Sequence, residues 1–344
     1  MGADGKRSST PSSLKDEFTP SLDVWYTDGS IVLVAEKTAF RVHGTILAAN
    51  SEIFKDMFAI PQSATPDPDA ETYEGCPVLR LQDSPADLKH FLKAIYDFSY
   101  FPPRARTKFP VVAAVLRLST KYHAPALRQR AIDLMTTVYP SSTADWTKRS
   151  HQRLIPPFED EHVAYIALAI ETDIRVILPA VYFAATRAPL AGVLTQMRKL
   201  AVAHSVQWDV CTDFLVGRER LQQAEITHIL GFLADTFARP GCRDSHDNNL
   251  LLTAARNAVR RVVDQEPYHQ WCSAKPAEVG PALGLCAVCC DTVTESIEQA
   301  RRKVWEQLPG YFNLADWETL LARDGVWETL LARDGVDSAF SESV

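Results

Sequence analysis

The sequence predicts an α+β domain followed by an all-α domain, and three observations carry that prediction. Short runs of strand formers crowd residues 23–42 and 78–81, and no strand-like alternation of comparable length follows. From Pro85 onward apolar residues recur at helical spacing. Residues 139–157, rich in Ser, Thr, Pro and basic residues, read as a linker between two sets of helices. Strands followed by segregated helices is the α+β order. At 344 residues, 46% hydrophobic and 23% charged, the chain suits about two domains, each large enough to bury a core.

The elements follow in order. Residues 1–20 are polar, lack the apolar stretch of a secretory signal and read as a disordered tail. Lys6 stands where N-myristoylation takes Ser or Thr. Val24-Trp25-Tyr26 and Ile31–Val34 flank Asp28-Gly29, a two-residue turn signal. Glu36-Lys37-Thr38 makes a second turn into Phe40-Arg41-Val42, where Phe40 and Val42 face one way and Arg41 and His43 the other. His43-Gly44 then opens two short helices with Ile46-Leu47, Ile53-Phe54 and Met57-Phe58 as buried pairs, and Asn50 or Ser51 can cap the second. Residues 61–77 read as an exposed loop, and Val78–Leu81 as a further strand.

Ser84-Pro85-Ala86-Asp87 supplies a cap, a proline at the first helical position and an acid in the first turn. Leu88, Phe91, Leu92, Ile95 and Tyr96 give one apolar face; Val111, Val115, Leu118 and Tyr122 give a second. Leu127, Ala131, Leu134 and Val138 give a third after Pro125.

With these elements in this order, Asp23–Phe58 (DVWYTDGSIVLVAEKTAFRVHGTILAANSEIFKDMF) resembles the opening of a BTB (POZ) domain. Val111–Met135, with Lys121-Tyr122 before its turn, resembles that domain's closing helical pair, so the resemblance covers residues 21–138. It implies a mixed sheet with helices and an intracellular module that assembles proteins without catalysis, commonly as a homodimer. It also implies an unknown protein partner, since some relatives recruit cullin scaffolds of ubiquitin ligases. Asp23, Trp25, His43, Ile46, Phe54 and Met57 are the candidate interaction residues; Trp25, Ile46, Phe54 and Met57 have an alternative reading as core, and His43 one as a hydrogen-bonded structural histidine. Transcription-factor members pair the early Asp with a basic residue just after the histidine; here that position is Gly44, which speaks against co-repressor recruitment. No zinc-finger array or kelch repeat follows. The readings are therefore a self-associating scaffold or adaptor, a substrate adaptor of a cullin-type ligase, or, third, a zinc-dependent enzyme.

The second half, 158–325, reads as helical. Its stripes are Ile226, Leu230, Leu233 and Phe237; Leu251, Ala255, Ala258 and Val262; and Val293, Ile297, Ala300, Val304 and Leu308. Leu178-Pro179-Ala180, Gly217-Arg218, the late cysteines, Trp305–Pro309 and Trp317-Glu318 resemble an expanded BTB group of mushroom-forming fungi. Within the Cys-rich segment 242–290, Cys242, Cys272, Cys286 and Cys289 could close a structural zinc site, Cys286-x-x-Cys289 supplying two thiolates from one turn. The competing reading is thiols packed as small apolar groups.

Glu159-x-x-His162 resembles half of a di-iron motif, but a helix-start acid explains Glu159. No P-loop, GxSxG, GxGxxG or HExxH occurs. The net charge of −7 argues against nucleic-acid binding, the basic faces Arg256-Arg260-Arg261 and Arg301-Arg302-Lys303 reading as solvated. The longest apolar run, Val163–Ile170, is too short to cross a bilayer. Seven cysteines with no secretory signal fit reduced thiols and a cytoplasmic or nuclear address.

Finally, Trp317–Val326 (WETLLARDGV) recurs identically as Trp327–Val336. Ten helical residues rotate the second copy about 80° off the first face. Copy one is expected to dock, leaving 326–344 as a duplicated or disordered tail.

Overall fold

The computed structural model describes residues 17–60, 71–204, 208–229, 231 and 275–326, the side chains of 200–204 excepted. The chain divides into two compact units, Met1–Leu134 and Met135–Val344.

In the first unit, β1 (Thr19–Trp25), β2 (Ile31–Ala35), β3 (Thr38–Val42), β4 (Thr72–Tyr73) and β5 (Cys76–Leu81) form a mixed sheet of order β1-β3-β2-β5-β4. β2 runs antiparallel to β3 and parallel to β5, while β1 lies parallel to β3. Glu36-Lys37 closes the β2–β3 hairpin, with Ala35 opposite Thr38 and Glu36 in the left-handed region at φ 49°. Asp28-Gly29 does not close a β1–β2 hairpin, as its sequence suggests. Gly29 N–H donates to the Tyr26 carbonyl at 2.9 Å, and Arg41 Nε donates to the Gly29 carbonyl at 3.0 Å. Those bonds pin the turn to β3, so the chain crosses from one side of β3 to the other and β1 ends up parallel to it. A Cβ on Gly29 would lie 2.9 Å from Arg41 Cγ, which explains glycine there.

β2 is buried at every position. Successive strand residues alternate faces. Val32 and Val34 therefore join Phe18, Ala39 and Cys76 beneath Trp25, Tyr73 and Val78. On the opposite face Leu33, Phe40 and Val42 are buried. α1 (Gly44–Asn50) packs on α2 (Glu52–Ala59), and α3 (Pro85–Tyr96) on α4 (Phe109–Lys121), with α5 (Pro125–Thr136) following. Of the predicted faces, Leu88, Phe91, Leu92, Val115, Leu118, Tyr122, Leu127, Ala131, Leu134 and Val138 are buried, while Ile95, Tyr96 and Val111 are half-buried. The adjacent pairs are a correction: Leu47 and Phe54 are buried, whereas Ile46, Met57 and Phe58 are only half-buried and Ile53 is exposed. Neighbours on a helix point about 100° apart, so a pair cannot share one core-facing direction.

Within the described residues the second unit is helical. It comprises α6 (Thr143–Gln152), α7 (Glu161–Glu171), α8 (Leu178–Ala185), α9 (Leu190–His204), α10 (Trp208–Ala224) with a π-helical turn at Glu225–Ile229, α11 (Pro276–Ala282), α12 (Ala287–Glu306), α13 (Leu308–Tyr311) and α14 (Trp317–Arg323). Residues 139–157, read as a linker, contain α6. Ser142 Oγ accepts the Asp145 N–H at 3.1 Å, so serine here caps a helix. Trp146 packs against Trp305 at 5.1 Å and Phe183 at 5.3 Å, and Tyr139 and Ile155 are buried. α8 is buried at all eight positions, the pattern of a central helix. Of the predicted stripe, Val293, Ile297, Val304 and Leu308 are buried and Ala300 is half-buried. Leu230, Leu233, Phe237 and the stripe from Leu251 to Val262 lie outside the described residues. No described helix is long and apolar enough to cross a membrane.

His162 sits in α7 with Nδ1 2.8 Å from the hydroxyl of buried Tyr139, while Glu159 is exposed ahead of the helix. Glu161 pairs with Arg153 at 2.6 Å. Burial holds the imidazole below its ordinary value of 6.5, Arg149 and Arg153 adding to the effect and Glu161 opposing it. Above that value both states are neutral. As the pH falls through it the unfolded chain binds a proton that the folded chain refuses, so acidification destabilises the fold until the folded pKa is passed. The stability of His162→Gln should therefore fall less than the parent's on acidification below about pH 6.5. His90, also depressed by burial, leaves a residual slope. Parallel denaturation curves for parent and variant across that window would disprove this.

Candidate protein-interaction surface

β1 pairs only with β3 among the described strands, so its outer edge presents backbone groups without a strand partner. Its alternation is irregular, with a register shift between Pro20 and Trp25. Ser21 Oγ accepts the N–H groups of Asp23 and Val24, both at 3.3 Å. Val24 turns inward, and Leu22 is fully exposed beside it. An apolar side chain in open solvent on an edge strand suits strand addition. Leu22 was missed in the sequence; its signal was a leucine between Ser21 and Asp23 on a strand whose buried residues are Ser21 and Val24.

The α1–α2 hairpin supplies the second patch. Ser51 Oγ accepts the Phe54 N–H at 3.1 Å and donates to the Tyr122 carbonyl, while Glu52 N–H donates to the His123 carbonyl at 3.1 Å. Phe54 stacks on Tyr122 at 4.6 Å. The Tyr122 hydroxyl donates to buried Asp83, whose other oxygen takes Lys121 at 2.6 Å, and burial pushes the Tyr122 phenol upward. The hairpin is thus fixed to the end of α4. Phe54, a candidate interaction residue, is fully buried and supports the surface without forming part of it. The outward stripe of α2 is Ile53, Met57 and, just past its end, Ile60, spaced i, i+4 and i+7. Ile53 and Ile60 are exposed and Met57 half-buried.

His43 joins sheet and helices. Its N–H donates to the Tyr96 hydroxyl at 2.7 Å, its Nδ1 lies 3.1 Å from that hydroxyl, and its Nε2 lies 3.3 Å from Asp28. Tyr26 stacks on Tyr96 at 4.4 Å. The hydrogen bond from His43 holds the Asp28 carboxyl below the usual carboxylate range. Every ring nitrogen has a structural partner, which is what a positioning histidine requires. Trp25 is half-buried edge-on to Tyr73 at 6.0 Å.

Residues 26–138 match the model of the BTB/POZ domain. The chain carries a BTB/POZ domain. No curated protein matches the chain. The match begins at Tyr26, so Leu22, Asp23 and Trp25 precede it, yet β1 belongs to the same sheet as the BTB strands. BTB domains are non-catalytic interaction domains that commonly self-associate.

Asp23 pairs with two cations of α3, Lys93 at 3.4 Å and Lys89 at 3.8 Å. Gly44 donates its N–H to Ser30 Oγ at 3.0 Å and lies under Phe58, with a Cβ there 3.5 Å from the ring. Of the proposed zinc ligands outside the BTB domain, Cys242 and Cys272 lie outside the described residues. Cys286 occupies the N-cap of α12, and Cys289 is fully buried in its first turn. Among the described residues no group of three or more His, Cys, Asp or Glu could hold a metal.

Proposed function

We propose that this chain is a protein–protein interaction module that self-associates through its BTB domain and acts as a scaffold or adaptor, its helical C-terminal part engaging a further protein. The observation that carries the reading is the pairing of an open edge strand bearing Leu22 with the outward stripe Ile53-Met57-Ile60 on a rigidly held hairpin. Strand addition supplies backbone hydrogen bonds and register; the apolar stripe supplies buried area. A specific dimer needs about 800 Å² from each partner, more than a single leucine provides. Both patches are therefore expected to take part.

Light scattering on the full chain should give a dimer at micromolar concentration. Leu22→Asp should shift it toward monomer by at least tenfold in dissociation constant, with unchanged helical circular dichroism. A parent chain that is monomeric at micromolar concentration would sink the self-association reading.

A further inference from the structure

Copy one of the repeat occupies a defined seat in the second unit. Leu320, Leu321 and Val326 are buried. Trp317 stacks on Trp305 at 6.0 Å and donates its indole N–H to the Trp305 carbonyl at 2.8 Å. Asp324, buried, accepts the backbone N–H groups of Arg175 and Val176 at 2.8 and 2.7 Å, and Arg323 pairs with Asp173. Gly325 takes the left-handed conformation at φ 70° that lets the chain turn after α14.

Every side chain in that set recurs in copy two, as Trp327, Leu330, Leu331, Arg333, Asp334, Gly335 and Val336. We propose that the seat is a peptide-binding site that accepts either of two identical tethered ligands, so that Trp327–Val336 exchanges with Trp317–Val326 within one chain. The exchange needs only that copy one leave and join the exposed connection Asn313–Asp316, which lengthens from four residues to fourteen. Loop closure grows slowly with length, so this lengthening costs about sixfold in population.

One contact does not recur. Asp316 accepts the Thr319 N–H at 2.8 Å as the N-cap of α14, whereas the residue before copy two is Val326. A missing cap costs about another fivefold, so copy one holds the seat in roughly thirty molecules for each one held by copy two. Removing either copy gives the same amino-acid sequence, so deletion cannot separate them; point changes can.

The test is thermal and denaturant unfolding of the full chain carrying Leu320→Asp, Leu330→Asp or both. Leu320→Asp unseats copy one, and the intact copy two should take over, limiting the loss to about thirtyfold in the folding equilibrium. Leu330→Asp alone should change nothing, yet added to Leu320→Asp it should lower stability further. If Leu320→Asp is as damaging as the double change, or if the double change is harmless, the proposal fails. Rescue that strengthens with protein concentration would place copy two in another chain's seat and would also overturn exchange within one chain.

Discussion

Phe54→Ala should lower the stability of the BTB domain by about 3–5 kcal/mol, the usual cost of deleting a buried ring. The ring is fully buried and stacks on both Tyr122 and Phe58, at 4.6 and 6.0 Å. It has no room to be replaced by neighbours, because Ser51 and Glu52 bind α2 to the Tyr122-His123 end of α4 and hold the backbone in place. The cavity therefore stays open. Domains are stable by about 5–15 kcal/mol, so this one change consumes a large part of the margin. Met57→Ala, three residues on and facing outward, should cost about 1 kcal/mol or less. Urea denaturation of the two variants measures the contrast. Equal losses would mean that α2 is not docked through Phe54. The same pair separates stability from association: Phe54→Ala acts through folding, whereas Leu22→Asp should alter dimerisation with the fold intact.

The sequence showed most where periodicity and capping agree. The faces through Leu88, Val115 and Leu127 are largely buried, and Ser51 is the one of two candidate caps that is used, because each is set within a dozen residues. What depends on distant residues was not legible. That Asp28-Gly29 would lie across β3 depends on Arg41, which reaches back to the Gly29 carbonyl. The helix within 139–157 is stabilised by Trp146 meeting Trp305, a residue more than 150 positions away, which composition cannot show. The candidate interaction residues divide on the same principle. His43, a candidate interaction residue, is held by Tyr96 and Asp28, neither of which its local sequence shows as a partner. Phe54 and Ile53 look alike in the sequence, and only the direction of α2 turns one inward and the other out.

Gly217→Ala should destabilise the second unit by about 1–3 kcal/mol, and Gly217→Val by more, although Gly→Ala in a helix ordinarily stabilises. Gly217 and Phe214 lie one turn apart in α10 and are both buried. A Cβ on Gly217 would fall 2.0 Å from Phe312 Cδ1 and 2.6 Å from Cε1, inside the ring's own volume. Phe312 cannot step aside, since it is fully buried and packs on Tyr182 at 5.0 Å, with Phe214 behind at 5.9 Å from the same tyrosine. The glycine is thus a notch that lets the Phe312 ring lie against the α10 backbone. Gly192 in α9 provides the opposite case: nothing lies within 4 Å of its Cβ position, so Gly192→Ala should stabilise by up to about 1 kcal/mol. Phe312→Ala should cost about 3–5 kcal/mol by leaving a cavity. In the Gly217→Ala/Phe312→Ala double variant the new methyl group occupies part of the vacated space, so its loss should be smaller than the sum of the two single losses. Additive losses would mean that the ring does not occupy the notch.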